Sequence, residues 1–120
     1  MPEEEDPMFF GSEKSGAVDH VCLAFAGLTE CWNGPDGPVH SCAIITTDAN
    51  ERMREIHNRM PVILAPDDHA AWLDPGNQAT AKLKELLKPC PAGMMAAHAV
   101  SLRVNTPKND EPALLEPVAE

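Results

Sequence analysis

The residues best able to do chemistry in this chain lie in two neighbouring stretches, Thr46-Thr47-Asp48-Ala49-Asn50-Glu51 and Ile56-His57-Asn58-Arg59-Met60-Pro61-Val62-Ile63-Leu64. A histidine at a helix C-terminus, beside an arginine and at the mouth of a strand, can act as an acid/base group or contact an anion, because helix dipole and strand ends converge there. The same histidine also suits a plainer task, capping its helix at the surface. Spacing alone leaves both readings of His57 open. Gly-rich phosphate loops, HExxH, GxSxG and calcium-loop patterns are absent.

Cys22, Cys31, Cys42 and Cys90 contain no CxxC pair, so neither structural zinc nor dithiol exchange is expected. Cys31, His40 and Cys42 come closest to a ligand set, against an expectation of small buried thiols for Cys22, Cys42 and Cys90. His20, His40, His69 and His98 have no spacing that pairs them on a metal. No metal and no cofactor is therefore expected. Trp32 and Trp72 lie in apolar runs without flanking bases and are expected to pack in a core or edge rather than stack on nucleobases.

The elements that must hold these residues are short. Val21 to Leu28 is an apolar run of strand length, and the turn chemistry Asn33-Gly34-Pro35-Asp36-Gly37-Pro38 separates it from a second run, Val39 to Thr47, which predicts a hairpin. Asp48 is the expected N-cap of a two-turn helix running to about Ile56, with Glu51 three positions on. Pro61 biases Met60 towards an extended conformation, so residues 57–60 lead from that helix into a strand, Val62-Ile63-Leu64, and His57 falls at an element boundary. Pro66-Asp67-Asp68 opens a helix through Trp72-Leu73, and Ala79, Leu83, Leu86 and Leu87 mark another. His98 to Val104 has strand character. The sum is an α+β chain, a β-hairpin or barrel-like sheet with short interleaved helices.

Composition bounds the rest. The 120 residues include twelve prolines and seven glycines, which excludes repeats, coiled coils and collagen. No run approaches the length of a membrane span, and Glu3, Glu4, Glu5 and Asp6 stand where a secretory signal would be basic and then apolar. A cytoplasmic, membrane-free chain without disulfides is expected. The net charge of −10 argues against nucleic acid, but residues 41–110 carry eight acids and eight bases, so the excess acid lies at the ends. Arg52, Arg54, Arg59, Arg103 and Lys108 are available for a local basic patch.

Phe25-Ala26-Gly27-Leu28, Thr29-Glu30-Cys31-Trp32, Pro35-Asp36-Gly37, Ile44-Ile45-Thr46-Thr47-Asp48-Ala49-Asn50, the Ile56-to-Leu64 stretch, Ala71-Trp72-Leu73-Asp74, Val100 to Asn105 and Asn109-Asp110 together resemble the SOS response-associated peptidase family, the abasic-site processing proteins. The resemblance runs in order from about Pro7 to Val118. It implies a partial fold of that family, with 1–20 as an acidic segment and edge strand and 21–118 as the C-terminal part of the domain. It also implies chemistry: an N-terminal cysteine captures the ring-opened aldehyde of an abasic site in single-stranded DNA as a thiazolidine crosslink. His57 matches the histidine that assists sugar ring opening and crosslink reversal by moving protons, a catalytic role. Thr46 matches a threonine near the same pocket, and Arg59 suits a phosphate contact by charge and position.

Position 2 is Pro2, and the family's asparagine and glutamate are expected to lie upstream of this chain, so a partner N-terminal half is an expectation. Whether such a chain is itself an enzyme stays open. A non-catalytic single-stranded DNA-binding or interaction module, or one half of a split protein, is the alternative function. A small cytosolic domain with no nucleic-acid role is what net charge alone suggests.

Overall fold

The hairpin forms where the turn chemistry places it. In the computed structural model, which describes residues 23–119 and the backbone of residues 8–12, strands β3 (Gly27–Gly34) and β4 (Gly37–Ile44) are antiparallel, with Gly27 opposite Ile44 and Gly34 opposite Gly37. Pro35 and Asp36 make the two-residue turn. Gly37 has φ of +115°, a conformation that only glycine adopts without strain, so backbone geometry requires glycine at this position. Expectations resting on Pro2, His20 and Cys22 lie outside the described residues.

The apolar runs are not the continuous strands that their composition suggests. The run ending at Leu28 is broken at Ala26, between β2 (Ala24–Phe25) and β3; the second run is broken at Ile45, between β4 and β5 (Thr46–Asp48); the third is broken at Val62, between β6 (Arg59–Pro61) and β7 (Ile63–Leu64). The three breaks meet. Ala26 donates its N–H to the Val62 carbonyl at 2.8 Å, Val62 donates to Ile45 at 2.9 Å, and Ile45 donates back to Ala26 at 2.9 Å. From this closed ring of backbone bonds three antiparallel ladders diverge, β3 with β4, β5 with β6, and β2 with β7.

Side-chain size follows from that geometry. Ala26 and Val62 are both 0 % exposed and form the core with Leu64, covered by Ile45, Trp72, Leu86 and Leu87. A larger residue than alanine would overfill the junction. Two short helices supply the cover: α1 (His69–Leu73) carries Trp72, whose indole N–H donates to the Gly27 carbonyl at 3.2 Å, and Leu86 and Leu87 follow α2 (Thr80–Lys84). His69 Nε2–H donates to the Leu64 carbonyl at 3.1 Å and closes the end of β7. The first helix follows a 3-10 turn, Pro66–Asp68, and the second starts after Ala79 but ends at Lys84, short of the Leu86 and Leu87 expected within it.

Residues 23–92 form one unit, and β1 (Met8–Ser12) with residues 93–119 forms another. In the second unit β1 pairs antiparallel with β8 (Met95–Ala99), Met8 opposite Ala99 and Ser12 opposite Met95, and Met95, Val100 and Leu114 are buried. The strand expected from His98 to Val104 stops early. Ser101 Oγ accepts the Arg103 N–H at 3.3 Å and starts a 3-10 turn, Leu102–Asn105, which ends extended pairing. The architecture is α+β, and the described strands form four two-stranded ladders with no closed barrel among them. No described helix is long and apolar enough to cross a membrane.

Candidate functional site

The ladder of β5 and β6 brings two of the three predicted site residues into contact. Thr46, Asp48, Arg59 and Pro61 share one face because strand side chains alternate and Asp48 lies directly opposite Arg59. Arg59 Nη1 donates to Asp48 Oδ1 at 3.1 Å, and Nη2 donates to both the carbonyl and the Oγ1 of Thr46 at 3.0 Å. Thr47 and Met60 point the other way, Met60 into the interior. Alternation therefore separates a polar working face from an anchoring one.

Asp48 is not a helix cap. Its carboxylate holds Arg59, and the capping function has moved two residues on, to Asn50, whose Oδ1 accepts the Met53 N–H at 3.0 Å. The expected helix shrinks to a 3-10 turn, Met53–Glu55, and strand pairing takes Asp48, the residue expected to cap it. Period-two alternation of Thr46 and Asp48 is the signal in the sequence that distinguishes these roles.

His57 stands between that turn and β6, at the boundary expected for it. Its N–H donates to the Met53 carbonyl at 2.8 Å, and its ring Nδ1 accepts the Arg59 N–H at 3.0 Å. The second contact settles the tautomer, because a backbone N–H can only donate: Nδ1 is the acceptor, and the neutral ring carries its proton on Nε2. The imidazole is exposed, so Nε2–H is presented to solvent and to any ligand. Arg52 and Arg54 are exposed on the same segment, as are Glu51 and Glu55, so acids and bases balance there. Arg103 of the second unit is engaged by Glu111.

The hairpin presents a different picture from the one its composition suggested. Cys31 and His40 face each other, Sγ and Nε2 4.0 Å apart, and Cys42 lies on the same face opposite Thr29. Thr29, Glu30, Cys31, His40, Ser41 and Cys42 line an open depression of about 470 Å³. Among the described residues no three ligating side chains converge on a metal. Cys42, expected to be a buried thiol, is exposed, because neither face of this two-stranded arm is covered by another described element.

Trp32 is likewise 61 % exposed rather than packed, its ring lying beside Gly34 where a Cβ would come within 2.5 Å of it. Trp72 does pack, as expected. Cys90 is half-buried, and burial raises its thiol above the usual range. Less thiolate at a given pH means slower alkylation. Iodoacetamide followed by peptide mass spectrometry is expected to label Cys31 and Cys42 at least several-fold faster than Cys90 near neutral pH.

Comparison with known proteins places this geometry in context. Residues 2–107 match the family described as SOS response associated peptidase (SRAP). The abasic site processing protein YoqW of Bacillus subtilis is 51 % identical over 95 residues, covering 78 % of this chain and 42 % of the relative. The abasic site processing protein HMCES of Gallus gallus is 40 % identical over 99 residues, covering 80 % of this chain and 29 % of the relative. The chain thus spans less than half the length of these relatives. A crystal structure of a protein from Bacteroides thetaiotaomicron shares the fold with a TM-score of 0.79 at 24 % identity, over 99 % of this chain and 51 % of that one. With a family match over most of its length, a shared fold and relatives at this level of identity, the chain belongs to the SOS response associated peptidase family.

Proposed function

We propose that this chain is a DNA-damage protein that engages abasic sites in single-stranded DNA, with His57 working on the sugar and Arg59 and Thr46 lining the pocket. The observation that carries the reading is an exposed imidazole whose Nδ1 is held by the backbone N–H of Arg59, the residue whose guanidinium is oriented by Asp48 and Thr46. A ring-opened abasic sugar presents a carbonyl oxygen, and closed sugar a hemiacetal oxygen; both accept a hydrogen bond from Nε2–H. To move a proton at Nε2 as well, the ring releases the Arg59 N–H and lets Nδ1 take up hydrogen. Oxygen recognition and proton transfer are thus two states of one residue, exchanged through Nδ1.

Arg59 is oriented rather than consumed. A guanidinium has five N–H donors, and the contacts to Asp48 and Thr46 leave donors for a phosphate oxygen. Recognition and opening of the abasic sugar are the part of the chemistry proposed for these residues. A second reading, an interaction module or one half of a split protein, draws on Leu28, Trp32 and Val39, which share one exposed apolar face of the hairpin.

The test is fluorescence anisotropy with a single-stranded oligonucleotide carrying one abasic site against its intact counterpart, across a salt series. Tighter binding to the abasic strand is expected, with affinity falling as salt rises. Arg59→Ala should weaken binding by up to about ten-fold and lower the salt slope by about one. It should cost stability only about 0–1 kcal/mol, since the Arg59 and Asp48 side chains are 47 % and 85 % exposed. No preference for the abasic strand at low salt would remove the DNA reading and leave the interaction module.

A further inference from the structure

We infer that Asn50 is the positioning residue of His57, fixing the loop 49–58 so that the imidazole reaches Arg59 with its proton on Nε2. The inference rests on the reading of His57 given above and extends it to a side chain that touches no ligand. Asn50 is 8 % exposed, and it is the only polar residue in the buried set among the described residues. Its Oδ1 accepts the Met53 N–H at 3.0 Å and its carbonyl accepts the Arg54 N–H at 3.0 Å, so both of its acceptors start the turn. Its Nδ2 donates to the Cys90 carbonyl at 2.8 Å, forty positions along the chain. Its own N–H points at Met60 Sδ, 3.4 Å away.

These bonds lead to the imidazole in two further links. The Met53 carbonyl accepts the N–H of both Ile56, at 2.9 Å, and His57, at 2.8 Å, and the Ala49 N–H donates to Asn58 at 3.1 Å to close the base of the loop. His57 is then at the loop's end with Nδ1 against the Arg59 N–H. The distal anchor is stiff: Cys90 lies between Pro89 and Pro91, which restrict the backbone on both sides of the accepting carbonyl. The loop is therefore fixed to a rigid point by one side chain, and that side chain sets where the turn carrying His57 begins.

The chemistry of the amide is specific. Aspartate keeps the acceptor for Met53 but presents a second acceptor to the Cys90 carbonyl, where two lone pairs meet with no hydrogen between them. Alanine removes both contacts and leaves the Cys90 carbonyl without its donor. Only a short amide supplies an acceptor in one direction and a donor in the other at this reach.

The experiment is long-range 1H–15N correlation of the histidine rings in this chain, at a pH where the rings are neutral. In the parent, His57 is expected as a single Nε2–H tautomer. In Asn50→Asp and in Asn50→Ala, its two ring nitrogens are expected to move towards averaged values as the tautomers mix, while the Trp72 indole N–H, bonded at the strand junction, keeps its position. An unchanged His57 tautomer in folded Asn50→Asp overturns the proposal. So does loss of the Trp72 signal in both variants, which would make Asn50 a requirement of the fold rather than of His57. If only the alanine variant fails to fold, the aspartate variant decides. The spectra contain no DNA, so a failure of the abasic-site reading leaves this result standing and is recognised separately by the binding assay.

Discussion

His57→Gln is expected to slow the opening of an abasic sugar by about 100-fold, the lower end of what a positioned acid/base group contributes. The measurement follows oxime formation between an abasic oligonucleotide and an aminooxy probe in solution, with protein saturating. The probe reacts only with the open aldehyde, so the accelerated rate reports ring opening without requiring a nucleophile from the protein. Glutamine is an informative replacement because its amide can still donate to the sugar oxygen but cannot exchange a proton. A protein that only recognises the sugar loses little in this variant, and a protein that moves protons loses most of its acceleration. Equal rates for parent and variant would sink the proton-transfer role while leaving oxygen recognition intact. Binding measured in parallel is expected to change by less than about three-fold, since Arg59 and its neighbours supply the charge.

Val62→Asp is expected to abolish cooperative unfolding of residues 23–92. Val62 is fully buried at the point where three ladders meet, and its peptide bonds to both Ile45 and Ala26. A carboxylate there has no cation among the residues that cover the core, which are Ile45, Trp72, Leu86 and Leu87. Burying an unpaired charge costs several kcal/mol, comparable to the whole stability of about 5–15 kcal/mol that a small domain possesses. Val62→Ala supplies the graded case, with an expected loss of about 1–3 kcal/mol from missing methyl groups and the cavity they leave. Urea denaturation followed by Trp72 fluorescence checks both. A cooperative transition retained in Val62→Asp would show that the junction is not the centre of this unit.

The stability result bears on the site because the junction and the working ladder share a strand. Thr46 follows Ile45 directly, and Val62 follows Pro61, which pairs with Thr46. The Thr46, Asp48 and Arg59 face is therefore aimed by the same backbone bonds that bury Ala26 and Val62. A disturbance at the core is expected to move Arg59 before it moves the hairpin tip, which lies at the far end of a different ladder. The role proposed for His57 thus rests on two supports of different kinds, the backbone junction that aims the ladder and the Asn50 amide bonded to the turn and to Cys90.

Much of this protein is written in local sequence. Pro35-Asp36-Gly37 makes its turn because glycine takes the positive φ found at Gly37; Pro66 starts its helix because proline suits a first turn; and His57 falls at an element boundary because Pro61 draws Met60 into extended structure. The order of motifs from Phe25 to Asp110 marked the resemblance to the family. These features depend on neighbours a few positions apart, so residue types and spacing determine them. The tertiary structure decided what depends on distant partners. Ala26, Ile45 and Val62 look like ordinary members of apolar runs, and only their mutual hydrogen bonds turn them into breaks. Asp48 reads as a cap until Arg59 is paired opposite it, and the bond from the Asn50 amide to the Cys90 carbonyl, forty positions away, exists only in the folded chain. Trp32 reads as core by its apolar run, yet it is exposed because no described element packs on the hairpin that carries it. The physical reason is the same throughout: a peptide group or polar side chain takes its role from whichever partner satisfies it, and in this fold those partners are supplied by other strands and loops.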